Sequence, residues 1–303
     1  MRKKLRSIIL PLFTALIWGT AFVAQDICAD AIPPMTFNAL RFFLAVAFLF
    51  AVRGPIRALR RRRADPSPAP KKGFKTLAVA GVLCGLALGV ASFLQQAGME
   101  AGTDAGKSGF ITALYVVLVP IGGVILGKHL KKLFWACLAL AVVGLYLLCI
   151  GGSVSFAPGD LLTLLCAFAF TVQILLIDRF AGELDPIDFC IAEFLTAGLF
   201  SLIGMLLLEK PQAEGILQNL LPVLYVAFFS CGIAYLLQIV AQREGDPAIV
   251  SLLFSMESVF SVIASAIILR QRMTPREYAG CALILAAVVI AQLPEKRAEG
   301  PRE

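Results

Sequence analysis

The chain predicts an all-α integral membrane fold, with ten transmembrane helices arranged as two inverted five-helix repeats. Three observations lead there. The 303 residues are 59% hydrophobic and only 16% charged, with a mean hydropathy of +0.86, against about 25% charged in an ordinary soluble domain. Apolar runs of roughly 17 to 25 residues, the length that crosses a bilayer, fill almost the whole chain. The two halves also resemble each other, and an odd number of spans per half reverses the second half relative to the first.

Taken in order, the first run is Ser7 to Gln25. Its basic start, Arg2-Lys3-Lys4, imitates a secretory signal, but the run continues without a turn and holds Trp18, so it is expected to stay as the first span. Met35 to Val52 forms the second span and Thr76 to Gln95 the third, where Gly81, Gly85 and Gly89 recur every four residues on one face. Such a glycine stripe lets another helix approach closely. Ser108 to Gly127, Leu133 to Gly151, Asp160 to Ile177, Ile187 to Leu208, Leu220 to Ala241 and Ala248 to Leu269 follow, and the tenth, Tyr278 to Leu293, is the shortest. Pro11, Pro120 and Pro222 fall inside spans, where each removes a backbone donor and bends the helix.

The repeat is read residue by residue. At an offset of 152, Ala15 matches Ala167, Asp26 matches Asp178, Pro34 matches Pro186, and Phe37, Phe42 and Phe48 match Phe189, Phe194 and Phe200. At an offset of 143, Gly89 matches Gly232, Gln95 matches Gln238, Ala105 matches Ala248 and Val116 matches Val259. Alanine and phenylalanine matches are cheap in so apolar a composition; the proline, aspartate and glutamine pairs carry the argument. The expected units are residues 1–152, residues 153–295 and a cytoplasmic tail, 296–303.

The formal charge of +7 raises the question of nucleic acid, and the placement of the basic residues answers it. With a cytoplasmic amino terminus, the outside segments hold only Lys107, Lys210, Arg270, Arg272 and Arg276, while most of the 27 basic residues fall inside. This bias fits the positive-inside rule and puts both termini in the cytoplasm of a cell-membrane protein. The run Arg60 to Arg63 reads as a topology anchor beside anionic lipid, and the proline-rich stretch Asp65 to Pro70 as a flexible part of the same loop. No nucleic-acid partner is expected.

Of the eight cysteines, seven lie in apolar spans without paired spacing; Cys28 alone is expected in an outside loop. No disulfide framework follows. His129 is the sole histidine, which excludes an imidazole-rich metal site, and no catalytic or phosphate-cradling motif is present. Neither an enzyme nor a bound cofactor is expected.

Three ionisable residues sit well inside the spans: Arg41, Glu193 and Glu257. Each costs about 2.5 to 3.5 kcal/mol in hydrocarbon on insertion scales, so it should face a cavity or a partner. Arg41 and Glu193 are repeat mates of opposite charge, but inversion places them about 12 Å apart in depth at 1.5 Å per residue, too far for direct contact. Glu257, near the midplane, is the better central residue: a partner for Arg41, a proton carrier, or a carboxyl satisfied by neighbouring helices. Trp18, Gln95 and Gln238 complete the candidate substrate-binding set. The two glutamines stand at span ends on opposite sides, as gate residues or ordinary interface caps, and Trp18 either lines a pore or packs.

The run Asp104 to Pro120 (DAGKSGFITALYVVLVP), with Leu40-Arg41-Phe42 and Met256 to Phe260, resembles the signature segments of the EamA-like branch of the drug/metabolite transporter superfamily. The resemblance covers the whole chain as two such domains. It implies a ten-helix secondary transporter of small metabolites, often an exporter, working by alternating access without a cofactor. The family often places Gly-Glu after the fourth and ninth helices. Here Gly127-Lys128 and Arg270-Gln271 stand there, so no role tied to that glutamate carries over.

The sequence therefore points to a transporter of a small polar metabolite such as an amino acid, with protons as a candidate coupling ion and the lipid bilayer as its setting. Arg41 suits a carboxylate and Glu257 a cation. Efflux of a lipophilic cation, flipping of a lipid carrier, and a non-transporting membrane scaffold remain as alternatives.

Overall fold

A computed structural model describes residues 2–62, 73–103, 105–149, 158–268 and 274–292. Among these, all regular structure is helical. Asp65 to Pro70, Arg63, Arg270-Gln271 and the tail 296–303 lie outside the described residues, as do the side chains of Arg60 to Arg62.

Eight stretches are long and apolar enough to cross a membrane: Ser7–Ala29, Pro34–Ala58, Phe74–Glu100, Lys107–Ile125, Pro158–Ala181, Pro186–Leu208, Leu220–Glu244 and Pro247–Ile268. The remaining two expected spans are helices of lesser reach. α6 (Lys132–Cys149) has a shorter apolar stretch, Lys132–Leu147, and α14 (Pro275–Gln292) opens on Pro275, Arg276, Glu277 and Tyr278, which shortens its apolar run. Between them the eight stretches comprise α1 (Arg2–Ala29), α2 (Pro34–Arg62), α3 (Phe74–Glu100), α4 (Ala105–Thr112) with α5 (Tyr115–Ile125), α7 (Pro158–Ala181), α8 (Pro186–Leu208), α10 (Leu220–Tyr225) with α11 (Leu236–Glu244), and α12 (Pro247–Phe254) with α13 (Met256–Ile268). A short α9 (Ala213–Gln218) lies in the loop before α10.

The fourth and ninth expected spans are both broken, and at matching places. α4 gives way to α5 at Ala113-Leu114, and α12 to α13 at Ser255; Ser255 minus the repeat offset of 143 is Thr112. At each break the backbone tightens to i−3 bonds: Leu114 N–H to the Ile111 carbonyl at 3.2 Å, and Ser258 N–H to the Ser255 carbonyl at 3.2 Å. Neither break falls on a proline. Pro120 sits inside α5 and Pro11 inside α1. A third irregularity is a π-helical segment, Val226–Tyr235, joining α10 to α11, whose counterpart in α3 is plain α-helix. Such bulges recur at functional sites.

Close approach follows the glycine stripe. A Cβ at Gly81 would stand 2.6 Å from Ala192 Cβ, at Gly85 2.5 Å from Thr196 Cβ, and at Gly89 2.8 Å from Phe200 Cδ1. The facing residues advance four at a time along α8 as the glycines do along α3, so the two helices run parallel. α2 and α8 run antiparallel, since Gly204 meets Met35 and Gly198 meets Phe42 and Phe43. Phe42 and Phe194, repeat mates, stack across that crossing with ring centroids 5.5 Å apart.

Helix neighbours close into a ring. Going round, α1 packs on α10, the π segment and α11; the π segment on α2; α2 on α8; α8 on α3; α3 on α7; α7 on α4 and α5; and these on α13 and α12, which return to α1. α6 and α14 pair with each other outside the ring, where a Cβ on Gly144 would stand 2.8 Å from Ile284 Cγ1. The outer surface carries large exposed apolar side chains such as Phe13, Phe50, Phe168, Leu199 and Ile203, the kind of apolar exterior that a lipid environment covers.

Candidate functional site

The ring encloses a narrow cleft with about 480 Å³ of empty space, open mouth included. It is lined by Trp18, Phe22 and Gln25 of α1, Arg41 of α2, Gln95 of α3, Thr112 of α4, Tyr115 of α5, Phe170, Gln173 and Ile174 of α7, Ser230 and Tyr235 of the π segment, Gln238 of α11 and Glu257 of α13. Five of the six residues singled out from the sequence thus share one cavity. Glu193 of α8 stands one hydrogen bond behind the wall.

Arg41 is 4% exposed. Its Nη1 donates to Gln25 Oε1 at 2.8 Å, and its guanidinium lies over the rings of Phe37 and Phe42, 5.3 and 4.9 Å from their centroids. Gln25 is held from its backbone side by Gln96 Nε2, 3.2 Å from the Gln25 carbonyl. Glu193, fully buried, accepts from Gln173 Nε2 at 2.8 Å, and Gln173 Oε1 accepts from Gln238 Nε2 at 3.2 Å. Arg41 and Glu193 are thus each served by a glutamine on the first helix of their own half. No ion pair joins Arg41 to Glu193. Because Gly198 faces Phe42, Arg41 stands level with Leu199, six residues or about 9 Å along α8 from Glu193, somewhat less than the depth read from the sequence.

Glu257 pairs with neither charge. Its Oε1 accepts from Tyr115 Oη at 2.9 Å, a bond that joins the two broken spans beside their breaks. The breaks explain why both groups reach the cavity: Tyr115 is the first residue of α5 and Glu257 the second of α13. Gln95 donates to Thr112 Oγ1 at 3.2 Å. It and Gln238 are buried, not at helix ends, because α3 runs on to Glu100 and α11 to Glu244. Trp18 packs edge-on against Tyr235 and Phe254, at 5.0 and 5.1 Å, so it both lines the cleft and packs.

Several polar groups in and around the cleft keep unused capacity. Trp18 Nε1, Arg41 Nε, Gln238 Oε1 and Glu193 Oε2 are buried with no protein partner, and unmet buried donors and acceptors are costly unless a ligand or water meets them. Sequence reading missed Gln25, Gln173 and Tyr115. Their signal was present as amides and a phenol within apolar runs, which face a cavity or a partner more often than lipid. Cys28 belongs to α1 and is fully buried, not in an outside loop, because α1 runs four residues beyond Gln25. Among the described residues no three His, Cys, Asp or Glu side chains gather to hold a metal ion.

A ring of apolar helices around a cleft lined by aromatic side chains and buried polar groups suits a membrane transport protein. The model of the EamA-like transporter family matches residues 5–150 and again 157–292, and the chain belongs to that family. It is similar to an uncharacterized transporter of Archaeoglobus fulgidus, 31% identical over 287 residues covering 92% of this chain and 83% of that one. It is also similar to the uncharacterized inner membrane transporter YedA of Escherichia coli, 24% identical over 94% of this chain and 92% of that one. A solved crystal structure shares the fold with a TM-score of 0.73 at 20% identity, covering 94% of this chain and 96% of that one.

Proposed function

We propose that this member of the EamA-like family is a secondary transporter that moves a small polar metabolite, such as an amino acid, by alternating access. The observation that carries the reading is the single cleft holding Arg41 and Glu257 together. A guanidinium and a carboxyl lining one cleft, in the company of glutamine amides, suit the two ends of a zwitterion. The unused Arg41 Nε and Gln238 Oε1 supply one further donor and one further acceptor.

In this proposal all ten helices cross the membrane as two inverted repeats, 1–152 and 153–295, with tail 296–303. Two features support it: repeat mates Phe42 and Phe194 stack between antiparallel helices, and exchanging each span with its counterpart in the other half maps the ring of neighbours onto itself. An inner-membrane location follows the E. coli relative's name, cytoplasmic termini follow the charge bias, and export follows the family resemblance. Protons are the proposed coupling ion, with Glu257 as their carrier.

A second reading rests on the aromatic lining. Trp18, Phe22, Tyr115, Phe170 and Tyr235 around a carboxyl also suit a lipophilic cation. Proteoliposomes loaded with labelled metabolites separate the two: the first reading requires transport of a zwitterion that Arg41→Ala abolishes. The second requires cation transport that survives Arg41→Ala and fails in Glu257→Gln.

A further inference from the structure

The ring divides into two four-span arcs. One holds α12 with α13, α1, the Leu220–Glu244 stretch and α2; the other holds α4 with α5, α7, α3 and α8. The repeat exchanges them. On the ring they adjoin at two seams, one between α2 and α8 and one between the broken spans, with α11 also touching α7 and α8, α2 and α1 touching α3, and α1 touching α4 across the middle. The α2/α8 seam is fastened at both ends, about 30 Å apart over the 21 residues from Thr36 to Arg57.

At one end Arg57 Nη2 contacts Asp188 Oδ2 at 2.6 Å, with Arg53 Nε 2.8 Å from Asp188 Oδ1. At the other, Glu209 accepts from Met35 N–H at 2.8 Å and from Thr36 N–H and Oγ1 at 2.7 and 2.8 Å. These two fastenings are repeat mates. Arg57 and Glu209 are 152 positions apart, and so are Thr36 and Asp188. The chemistry is exchanged for a local reason. α8 has its own N-cap, Asp185, whose carboxylate accepts from Ile187 and Asp188 N–H, which leaves Asp188 free to take arginine. The matching residue before α2 is Pro33, which has no side-chain acceptor, so Glu209 reaches across the seam to serve the free N–H groups of α2. Between the two fastenings, Phe42 and Phe194 stack near the middle of the crossing.

The geometry points to Arg57–Asp188 and Glu209–Thr36 as the two alternating latches of this seam, released one at a time as the arcs rock about the Phe42/Phe194 contact. The inference rests on the alternating-access reading and names the residues that set which end opens. The side chains of Arg57 and Asp188 are 40% and 21% exposed, so water replaces that pair readily when it parts. If the latches share one two-state motion, weakening one raises the population open at its own end and depletes the population open at the other.

Hydrogen exchange by mass spectrometry on the purified full chain in nanodiscs tests this without any cargo. In Arg57→Gln, backbone amides at the Arg57 end (residues 53–57 and 187–190) should exchange faster and those at the Glu209 end (35–38 and 205–209) more slowly, each by about two-fold or more. Glu209→Gln should give the reverse pattern, and Asp188→Asn should reproduce Arg57→Gln. If each variant loosens only its own end, the contacts are local caps and the inference fails. If Arg57→Gln and Asp188→Asn both fail to fold, the contact is a structural staple and the inference fails as well. Absence of transport in liposomes would overturn the functional reading and leave this exchange result standing.

Discussion

Replacing Gly85 by alanine tests the packing that holds Glu193 in place. The added Cβ would meet the Glu193 carbonyl oxygen and lie 2.5 Å from Thr196 Cβ, more than 1 Å inside the usual carbon separation of about 3.5 to 4.0 Å. Both obstacles belong to the helical body of α8, so relief requires α3 and α8 to move apart. Overpacking of this kind costs about 1 to 3 kcal/mol, offset by about 0.5 to 1 kcal/mol from the better helix propensity of alanine. The net loss, about 1 kcal/mol at the mid-values and at most about 2.5 kcal/mol, should lower Tm by a few degrees. Thermal unfolding in detergent measures it, with Gly54→Ala as the internal control, because nothing lies within 4 Å of a Cβ there. Gly54→Ala should be neutral or slightly stabilising. Equal Tm values for Gly85→Ala and wild type would refute the argument, as would an equal loss in Gly54→Ala.

Other expectations follow from single contacts. Tyr115→Phe removes the donor to Glu257 Oε1 at a cost of about 1 to 3 kcal/mol, and should slow transport roughly ten-fold or more in a proteoliposome assay while the protein still purifies as a folded species. Gln173→Leu strips Glu193 of its donor and Gln238 of its acceptor, so it should lower Tm more than Thr196→Val, whose hydroxyl bonds only its own helix. Among the described residues, the ion pairs that tie Lys107 and Lys128 to α7 should differ. Asp160, 2% exposed, takes Lys107 at 2.5 Å and Thr103 Oγ1 at 3.0 Å, and Asp160→Ala should cost about 3 kcal/mol. Lys128 and Asp178, 37% and 24% exposed, form a pair whose loss in Asp178→Ala should cost under about 1 kcal/mol; unfolding curves of the two variants side by side decide it.

Eight of the expected spans were legible because hydropathy is a local signal; the offsets of the proline and glutamine pairs are features of the sequence itself. Residues such as Gly81, Gly85 and Gly89 announced a close helix contact, although only the structure names α8 as the partner. The breaks at Ala113-Leu114 and Ser255 were not legible, since the apolar run passes through both without glycine or proline; backbone tightening there depends on neighbours that the sequence does not order. Depth was misjudged for a similar reason. Helices α1 and α3 continue past Gln25 and Gln95, where their apolar runs ended, and α11 continues past Ala241 to Glu244, so Cys28, Gln95 and Gln238 lie further inward. Gln25, Gln173 and Tyr115 escaped notice because polarity at one position says little until ring closure brings seven spans to the same cleft.

The most direct test of the account is uptake of a panel of labelled amino acids and related zwitterions into proteoliposomes carrying wild type, Arg41→Ala or Glu257→Gln. At least one zwitterion should be moved by wild type and lost in both variants, each folded and inserted to the same extent. Wild-type rates in both variants would contradict the proposed site.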